Sequence, residues 1–169
     1  MRAPTVKHDG LNRGDDTMKR EEKEITSRED IEEIIRLADV CRLALCNGDR
    51  PYVVPLCFGY ESGALYFHCA PHGRKLEILE NNRNVCFEMD VDHGLVPAKT
   101  PCTWGFRYRS VVGFGQASWI NDPASKREAL KIIMRHYSQE AFDFPEDALA
   151  RTVVIKITVQ DITGRKAGS

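Results

Sequence analysis

Residues 50–90 read RPYVVPLCFGYESGALYFHCAPHGRKLEILENNRNVCFEMD, and this stretch decides the fold. The elements that it predicts are a strand (51–60), a tight turn (61–63), a second strand (64–69) and a helix (74–81). Arg74 and Lys75 fall in the first turn of that helix. Because a helix start offers unpaired N–H groups and the positive end of the dipole, this turn predicts a site for an anionic phosphate.

Pro55 stands in the middle of the first predicted strand. Proline has no N–H group and cannot donate to the hydrogen-bond ladder of a sheet. This part of the strand is therefore expected either at the edge of a sheet or against a ligand.

The composition limits the classes of protein to which the chain can belong. The chain has 169 residues, which suits one domain, and its 24 basic residues nearly balance 25 acidic ones. This balance gives no overall field that would favour nucleic acid or an anionic membrane surface. The sequence has no apolar run of the roughly 18 residues that a membrane span needs and no apolar core of a signal peptide, so the expected compartment is the cytoplasm.

The six cysteines are expected to be reduced and mostly buried. Nearly all lie in strand-like runs beside leucine, valine and phenylalanine, and a chain without a secretion signal favours free thiols. No two of them have the short C-x-x-C spacing of a zinc site.

The rest of the chain predicts an antiparallel β architecture. The predicted segments are a flexible tail (1–23), a helix (27–38) capped by Thr26, strands at 41–46, 85–91, 106–120 and 153–160, a loop (92–103), a helix from Asp122 to about Ser138, and a helical turn (145–150). The strands and helices do not alternate regularly, as they would in a parallel sheet. Six strands with flanking helices therefore favour a mainly β, antiparallel barrel.

The quoted stretch resembles the pyridoxamine 5'-phosphate oxidase-like flavin-binding split barrels, and most closely their branch of nitroimidazole-resistance (Nim-type) proteins. The resemblance covers residues 24–163. It implies a six-stranded antiparallel split β-barrel as one domain (24–164), followed by a short C-terminal tail (165–169). It also implies a homodimer that binds FMN across the subunit interface.

The resemblance assigns roles to individual residues. Arg74 and Lys75 match the ligands of the FMN phosphate, and His68 with Cys69 matches the pair beside the ribityl chain and phosphate. Ser110 stands where many oxidase members carry a glutamine that contacts the flavin ring, and this departure leaves the contact open. The strand that lies against the isoalloxazine ring corresponds to Val53, Val54, Pro55, Leu56, Cys57 and Phe58.

His68 also matches the active-site histidine of Nim-type proteins, so a catalytic role is expected there, beside the simpler role of a hydrogen-bonding wall residue. His68 and His72 flank a turn that contains Pro71, and this arrangement predicts no metal site. Haem ligation by one histidine stays open, as does a deazaflavin in place of FMN.

Two other groups of polar residues are close enough in sequence to form sites. Arg107 and Arg109 alternate onto one face of a strand, which suits either a second phosphate or an anionic substrate, or simply a solvated face. Asp90, Asp92 and His93 are close in sequence, but nothing places a serine or cysteine nucleophile beside them. A hydrolytic triad is therefore not expected.

The functional expectation is an FMN-dependent oxidoreductase that takes hydride from a nicotinamide nucleotide and reduces a small acceptor such as a nitro-aromatic compound. The resemblance also implies that Trp104, Phe106 and Tyr108 either cover the flavin of the second subunit or form the core of the dimer interface. The oxidase that names the family is not the expected identity, because its arginine- and proline-bearing substrate segment has no counterpart after Ile162. The alternative is a non-catalytic protein that sequesters flavin or haem.

Overall fold

A computed structural model of the chain describes residues 23–168. The predicted N-terminal tail (1–23) therefore lies outside the described residues, except for Lys23. The strands are β1 (Glu24–Ile25), β2 (Cys41–Asn47), β3 (Arg50–Leu56), β4 (Gly59–Glu61), β5 (Ala64–Cys69), β6 (Asn84–Val96), β7 (Gly105–Ile120) and β8 (Val153–Ala167). The α-helices are α1 (Arg28–Leu37), α2 (Arg74–Asn81), α3 (Pro123–Tyr137) and α4 (Glu146–Arg151), and a short 3-10 turn covers Pro101–Thr103.

All strand pairings are antiparallel, and the strands follow the order β3-β2-β6-β7-β8-β5-β4, with β1 beside β8. The two ends of this order, β3 and β4, are joined by only two residues, Cys57 and Phe58. The sheet must therefore curl until its ends come near each other, without β3 and β4 pairing. This confirms the mainly β, antiparallel, split-barrel prediction, with eight described strands where six were expected.

The prediction of one continuous strand over 51–60 is wrong. Leu56 is the last residue of β3 to pair, opposite Cys41, and Gly59 begins a new ladder opposite Tyr66 on β5. The chain changes neighbours at this point, and the apolar residues on both sides of the break gave no sign of it. The turn at 61–63 is confirmed, with positive φ angles at Ser62 and Gly63.

Strands β6 and β8 are longer than the sequence predicted. β6 continues to Val96 through the residues expected to form a loop, after an irregularity in the register between Val91 and Gly94. Asp92 takes a positive φ of 58° at this bulge. β8 reaches Ala167, which pairs with Tyr108, so residues 165–167 belong to the sheet and not to a C-terminal tail.

The helices close the core by their apolar faces. α1 buries Ile31, Ile34 and Ile35 inside the barrel, and its cap is Ser27 instead of Thr26, since the Ser27 hydroxyl accepts from the Asp30 N–H. α3 packs with α4 on the outer side of β5 and β8 as a second, smaller cluster. The bounds of α2, Arg74–Asn81, agree with the prediction.

Candidate functional site

The start of α2 is an open, uncapped helix terminus. Gly73 occupies the cap position with φ 139° and ψ 162°, and no side chain accepts a hydrogen bond there. The Leu76 N–H donates to the Gly73 carbonyl at 3.0 Å, so the earlier N–H groups of the turn have no intrahelical acceptor. A Cβ built on Gly73 meets nothing within 4 Å, which shows that the space over the turn is open.

Two cations lie at this terminus, and no acid of the described chain neutralises them. The ion pairs among residues 23–168 include neither Arg74 nor Lys75. The Arg74 guanidinium lies 5.7 Å from the centroid of the Tyr52 ring on β3. This cation–π contact orients Arg74 and links the turn to the predicted flavin strand.

His68 and Cys69 end β5 next to the same turn. Partial burial and the positive charge of Lys75 lower the pKa of His68. Burial raises the pKa of the Cys69 thiol, against the opposing effect of Lys75. At neutral pH the site therefore presents a neutral imidazole, a protonated thiol and an ammonium group.

The predicted flavin strand presents its residues to two different sides. Pro55 lies on β3 opposite Arg42 of β2, and β3 is an end strand of the sheet, as its proline predicted. Val53 and Pro55 are exposed on the outer face, where Val53 keeps 59% of its surface. Val54 and Leu56 instead pack against the barrel core.

Phe58 offers little to a ligand. Its side chain is fully buried, and its N–H donates to the Tyr137 hydroxyl at 2.9 Å. Cys57, the preceding residue, is exposed. A ligand on β3 would thus contact the outer side chains Val53, Pro55 and Cys57, and the free backbone edge of the strand.

Ser110 lies on the same outer face but not beside β3. It pairs with Asp90 of β6 and with Arg165 of β8. Strands β2 and β6 separate β7 from β3, a distance of about 14 Å at the usual strand spacing. One protomer therefore does not bring Ser110 into contact with the residues of β3.

Several charged residues of β6 and β7 form ion pairs, both with one another and with Arg42 and Glu33. Asp90 binds both Arg42 and His93, the latter at 2.7 Å between Oδ2 and Nε2. Asp92 turns instead to Arg109, at 2.6 Å, and Glu33 binds the same guanidinium at 2.8 Å. Arg109 is thereby neutralised by two carboxylates, so the structure does not support its candidacy for an anionic substrate.

Sequence reasoning missed two tyrosines of the site. Tyr52 orients Arg74, and Tyr137 holds the backbone of Phe58. Tyr52 falls within the quoted stretch, but its partner is 22 positions away in sequence. No local signal around Tyr137 indicates its contact with Phe58, which is 79 positions away in sequence.

Comparison with known proteins decides the family. A sequence model described as pyridoxamine 5'-phosphate oxidase matches residues 27–166 of this chain. The chain belongs to the pyridoxamine 5'-phosphate oxidase family. The resemblance noted in residues 50–90 is thereby confirmed.

The chain is also similar to individual proteins and solved structures. A candidate 5-nitroimidazole antibiotic resistance protein from Bacteroides thetaiotaomicron is 38% identical, with a TM-score of 0.77 over 85% of this chain and 86% of that chain. An FAD- and haem-binding protein from Mycobacterium smegmatis shares the fold, at 22% identity and a TM-score of 0.78 over 87% of this chain and 74% of that one. An uncharacterized protein of Rhizobium meliloti is 31% identical over 65 residues, 38% of this chain, and the match spans only 42% of that protein's length.

This member of the pyridoxamine 5'-phosphate oxidase family exposes an apolar row across the outer face of its sheet. Register places Val53, Ala44, Cys86 and Phe114 side by side on β3, β2, β6 and β7. Val53 and Phe114 keep 59% and 53% of their surface exposed. These two side chains are the exposed ends of the row, on the same face of the sheet as Pro55 and Ser110.

Residues 23–168 contain no group of three or more His, Cys, Asp or Glu placed to hold a metal ion. None of the helices described here is long and apolar enough to cross a membrane.

Proposed function

We propose that this chain binds FMN at the start of α2 and acts as an oxidoreductase. The observation that carries the proposal is the uncapped helix terminus with two cations, Arg74 and Lys75, beside the His68–Cys69 end of β5. Two positive side chains at the positive end of a helix dipole repel it, so this arrangement calls for a bound anion. A nucleotide phosphate supplies that anion.

The residues present fit a flavin mononucleotide. Gly73 leaves room for the phosphate where a side chain would stand, and its φ of 139° disfavours any other residue. The exposed side of β3 supplies apolar side chains and a free backbone edge, which suit the flat ring and its polar edge. The FAD- and haem-binding protein from Mycobacterium smegmatis has the same fold.

Each residue has a definite part in this proposal. Lys75 and Arg74 donate to the phosphate, and Tyr52 keeps the Arg74 guanidinium directed towards β3. Val53 and Pro55 exclude water from one side of the ring, and the neutral His68 holds a proton on one ring nitrogen and accepts on the other. The flavin itself would carry electrons from a nicotinamide nucleotide to a small acceptor, such as a nitro-aromatic compound.

The proposal includes a homodimer. A single protomer leaves Ser110 about three strand spacings from β3, so one chain covers the flavin incompletely. The apolar row from Val53 to Phe114 gives a second copy a surface to pair with, next to the exposed side of β3. Trp104 and Phe106, exposed at 49% and 52% on the β6–β7 hairpin, are candidates to cover the flavin of the partner.

The first experiment is an absorption spectrum of the purified chain before and after addition of FMN. We expect flavin bands that persist through gel filtration, quenched FMN fluorescence, and a molar mass near twice 19.2 kDa by light scattering. Steady-state oxidation of NADH or NADPH with an acceptor then separates an enzyme from a carrier. A colourless monomer that leaves FMN fluorescence unchanged would refute the proposal.

The electrostatics of the site give a prediction for His68. Since the charge of Lys75 disfavours the imidazolium, Lys75→Gln should raise the pKa of His68, measured from its ring proton shifts against pH by NMR. Lys131→Gln, on the exposed side of α3, is the control and should leave that pKa unchanged. An unchanged His68 pKa in Lys75→Gln would mean that the two groups do not interact.

The same lowered pKa has a consequence for stability. Around pH 6.5 the unfolded chain binds more protons at His68 than the folded chain does. The contribution of His68 to stability is therefore complete above the unfolded pKa. It is lost as the pH falls towards the lower pKa of the folded state.

Haem is the second candidate ligand, and one observation favours it. A histidine that is neutral at pH 7 is the form that coordinates haem iron, and His68 is held in that form. A Soret band in the first spectrum would assign His68 to haem. Tight binding of flavin or haem without turnover would indicate a sequestering protein, and a deazaflavin would use the same phosphate turn.

A further inference from the structure

The two-residue connection Cys57–Phe58 takes no part in the strand pairing of the sheet. It joins opposite ends of the strand order, so its backbone belongs to neither ladder. A buried or half-buried N–H group without an acceptor costs free energy. Groups outside the sheet must therefore accept hydrogen bonds from this segment and hold its backbone in one conformation.

The last two residues of α3 supply that contact. The Phe58 N–H donates to the Tyr137 hydroxyl at 2.9 Å, and the same hydroxyl donates to the Asp39 carbonyl at 3.0 Å. His136 Nε2 lies 2.7 Å from the Ala38 carbonyl, so this nitrogen carries the proton. The His136 ring also packs on the Phe58 ring, with the centroids 4.3 Å apart.

These contacts hold both strands of one hairpin at the same end. Ala38 and Asp39 lead into β2, and Phe58 follows β3. Cys41, at the start of β2, pairs with Leu56, at the end of β3. The pair of side chains thus clasps the open end of the β2–β3 hairpin, whose outer strand is the one assigned to the flavin ring. We call this the α3 clasp.

The hydrogen bonds of the α3 clasp hold Tyr137 in one orientation over the physiological pH range. Partial burial raises the pKa of Tyr137 to about 12, so its hydroxyl stays protonated and donates at every physiological pH. The hydroxyl donates its proton to the Asp39 carbonyl and accepts from the Phe58 N–H, and these two bonds fix the orientation of the phenol. Residues held in this way set the position of a neighbouring binding strand to a fraction of an ångström.

We propose that Tyr137 and His136 are positioning residues that set β3 against the flavin ring and thereby tune the cofactor, an inference that rests on the proposed function. Neither side chain needs to touch the flavin. Their effect passes through the backbone of Cys57 and Phe58 to Pro55 and Val53. A shift of that strand changes the contacts to the ring, and with them the relative affinities for oxidised and reduced flavin.

The test compares Tyr137→Phe with Tyr60→Phe in the FMN-loaded protein. Tyr137→Phe keeps the ring but removes both hydrogen bonds of the clasp. Tyr60 lies on β4, two residues after Phe58, and its hydroxyl takes no part in these bonds, so Tyr60→Phe removes the same atom without loosening β3. The measurements are the FMN dissociation constant, the flavin absorption maxima and the flavin reduction potential.

We expect Tyr137→Phe to raise the FMN dissociation constant at least fivefold and to alter the ratio of the affinities for oxidised and reduced flavin. A tenfold change in that ratio corresponds to a potential shift of about 30 mV for a two-electron couple. Tyr60→Phe should leave the affinity within about twofold of wild type and the potential unchanged. A change in potential at 25 °C in a folded variant is not produced by a merely structural role.

The outcomes separate the two proposals. A wild-type chain that does not bind FMN overturns the proposed function, and the first titration shows this before any variant is compared. Wild-type affinity, spectrum and potential in Tyr137→Phe overturn the clasp alone, even if its melting temperature falls. If Tyr137→Phe does not fold, the same measurements are made on His136→Gln, which keeps a donor for the Ala38 carbonyl but removes the ring that packs on Phe58. Loss of the fold in both variants would also overturn the proposal for the α3 clasp.

Discussion

Replacing Arg74 and Lys75 together by alanine should weaken FMN binding by two orders of magnitude or more. Each side chain would lose a charged hydrogen bond to the phosphate, worth about 1.5–3 kcal/mol, so the pair contributes on the order of 3 kcal/mol or more. Neither residue has an ion-pair partner within residues 23–168, so their removal leaves no orphaned acid there. Fluorescence titration of FMN measures the effect.

The matched control removes a positive charge from the other end of α2. Arg83 follows the helix and lies over the Trp119 ring, away from the phosphate turn. Arg83→Ala should therefore leave the FMN dissociation constant within about twofold of wild type, while the melting temperature reports on folding in both variants. Equal affinities in the double variant and the wild type would move the phosphate to another part of the molecule.

Gly59→Ala should lower the free energy of unfolding much more than Gly105→Ala does. A Cβ on Gly59 would lie 2.7 Å from the backbone of Ile132 and Ile133 in α3. Because those atoms are backbone, the helix as a whole would have to move away from β4. Overpacking of this kind costs about 1–3 kcal/mol, and we expect a value at or above the upper end.

Gly105→Ala is the control for Gly59→Ala. Gly105 begins β7, and a Cβ there would meet only Val96, at an ordinary 3.8 Å. We expect a change in the free energy of unfolding within about 0.5 kcal/mol for Gly105→Ala. Chemical denaturation of both variants gives the comparison; near-equal stabilities would show that α3 adjusts to the methyl group of Gly59→Ala without loss.

Much of the fold was readable from local sequence. Short-range signals predicted α2 at 74–81 and the start of α3 at Asp122, and the structure has both there. These signals work because capping and turn chemistry depend on a few adjacent residues. The antiparallel class followed from strand spacing and from the proline that puts β3 at an edge.

The errors lie where distant parts of the chain decide the structure. The run 51–60 looks continuous, but its first part pairs with β2 and its last part with β5, and this change of partner separates β3 from β4. Likewise, β6 extends to Val96 because it pairs with β7 over that length. Residues 165–167 are part of β8 because they pair with residues 108–110 of β7. Strand pairing is non-local, so strand ends are poorly marked in sequence.

In the candidate site, too, the residues that are close in sequence were predicted and those brought together by distant contacts were missed. Arg74, Lys75, His68 and Cys69 are close in sequence, and the structure brings them together around one turn. Ser110 and the inward-facing residues of β3 stay predictions, since a resemblance names positions and not the face on which each residue lies. Tyr52 and Tyr137 were missed, since their roles come from contacts that only the folded chain makes.

The central place of β8 has a consequence for how the protein is made. β8 lies between β7 and β5, and all other described strands precede it in the chain. While the ribosome adds residues at about 5–20 per second, the β4–β5 hairpin and the β3-β2-β6-β7 sheet have exposed edges with no strand to join them. The nascent chain therefore carries two half-sheets with unpaired edges until Val153–Ala167 emerges, and this interval is when it most needs protection from misassembly with other chains.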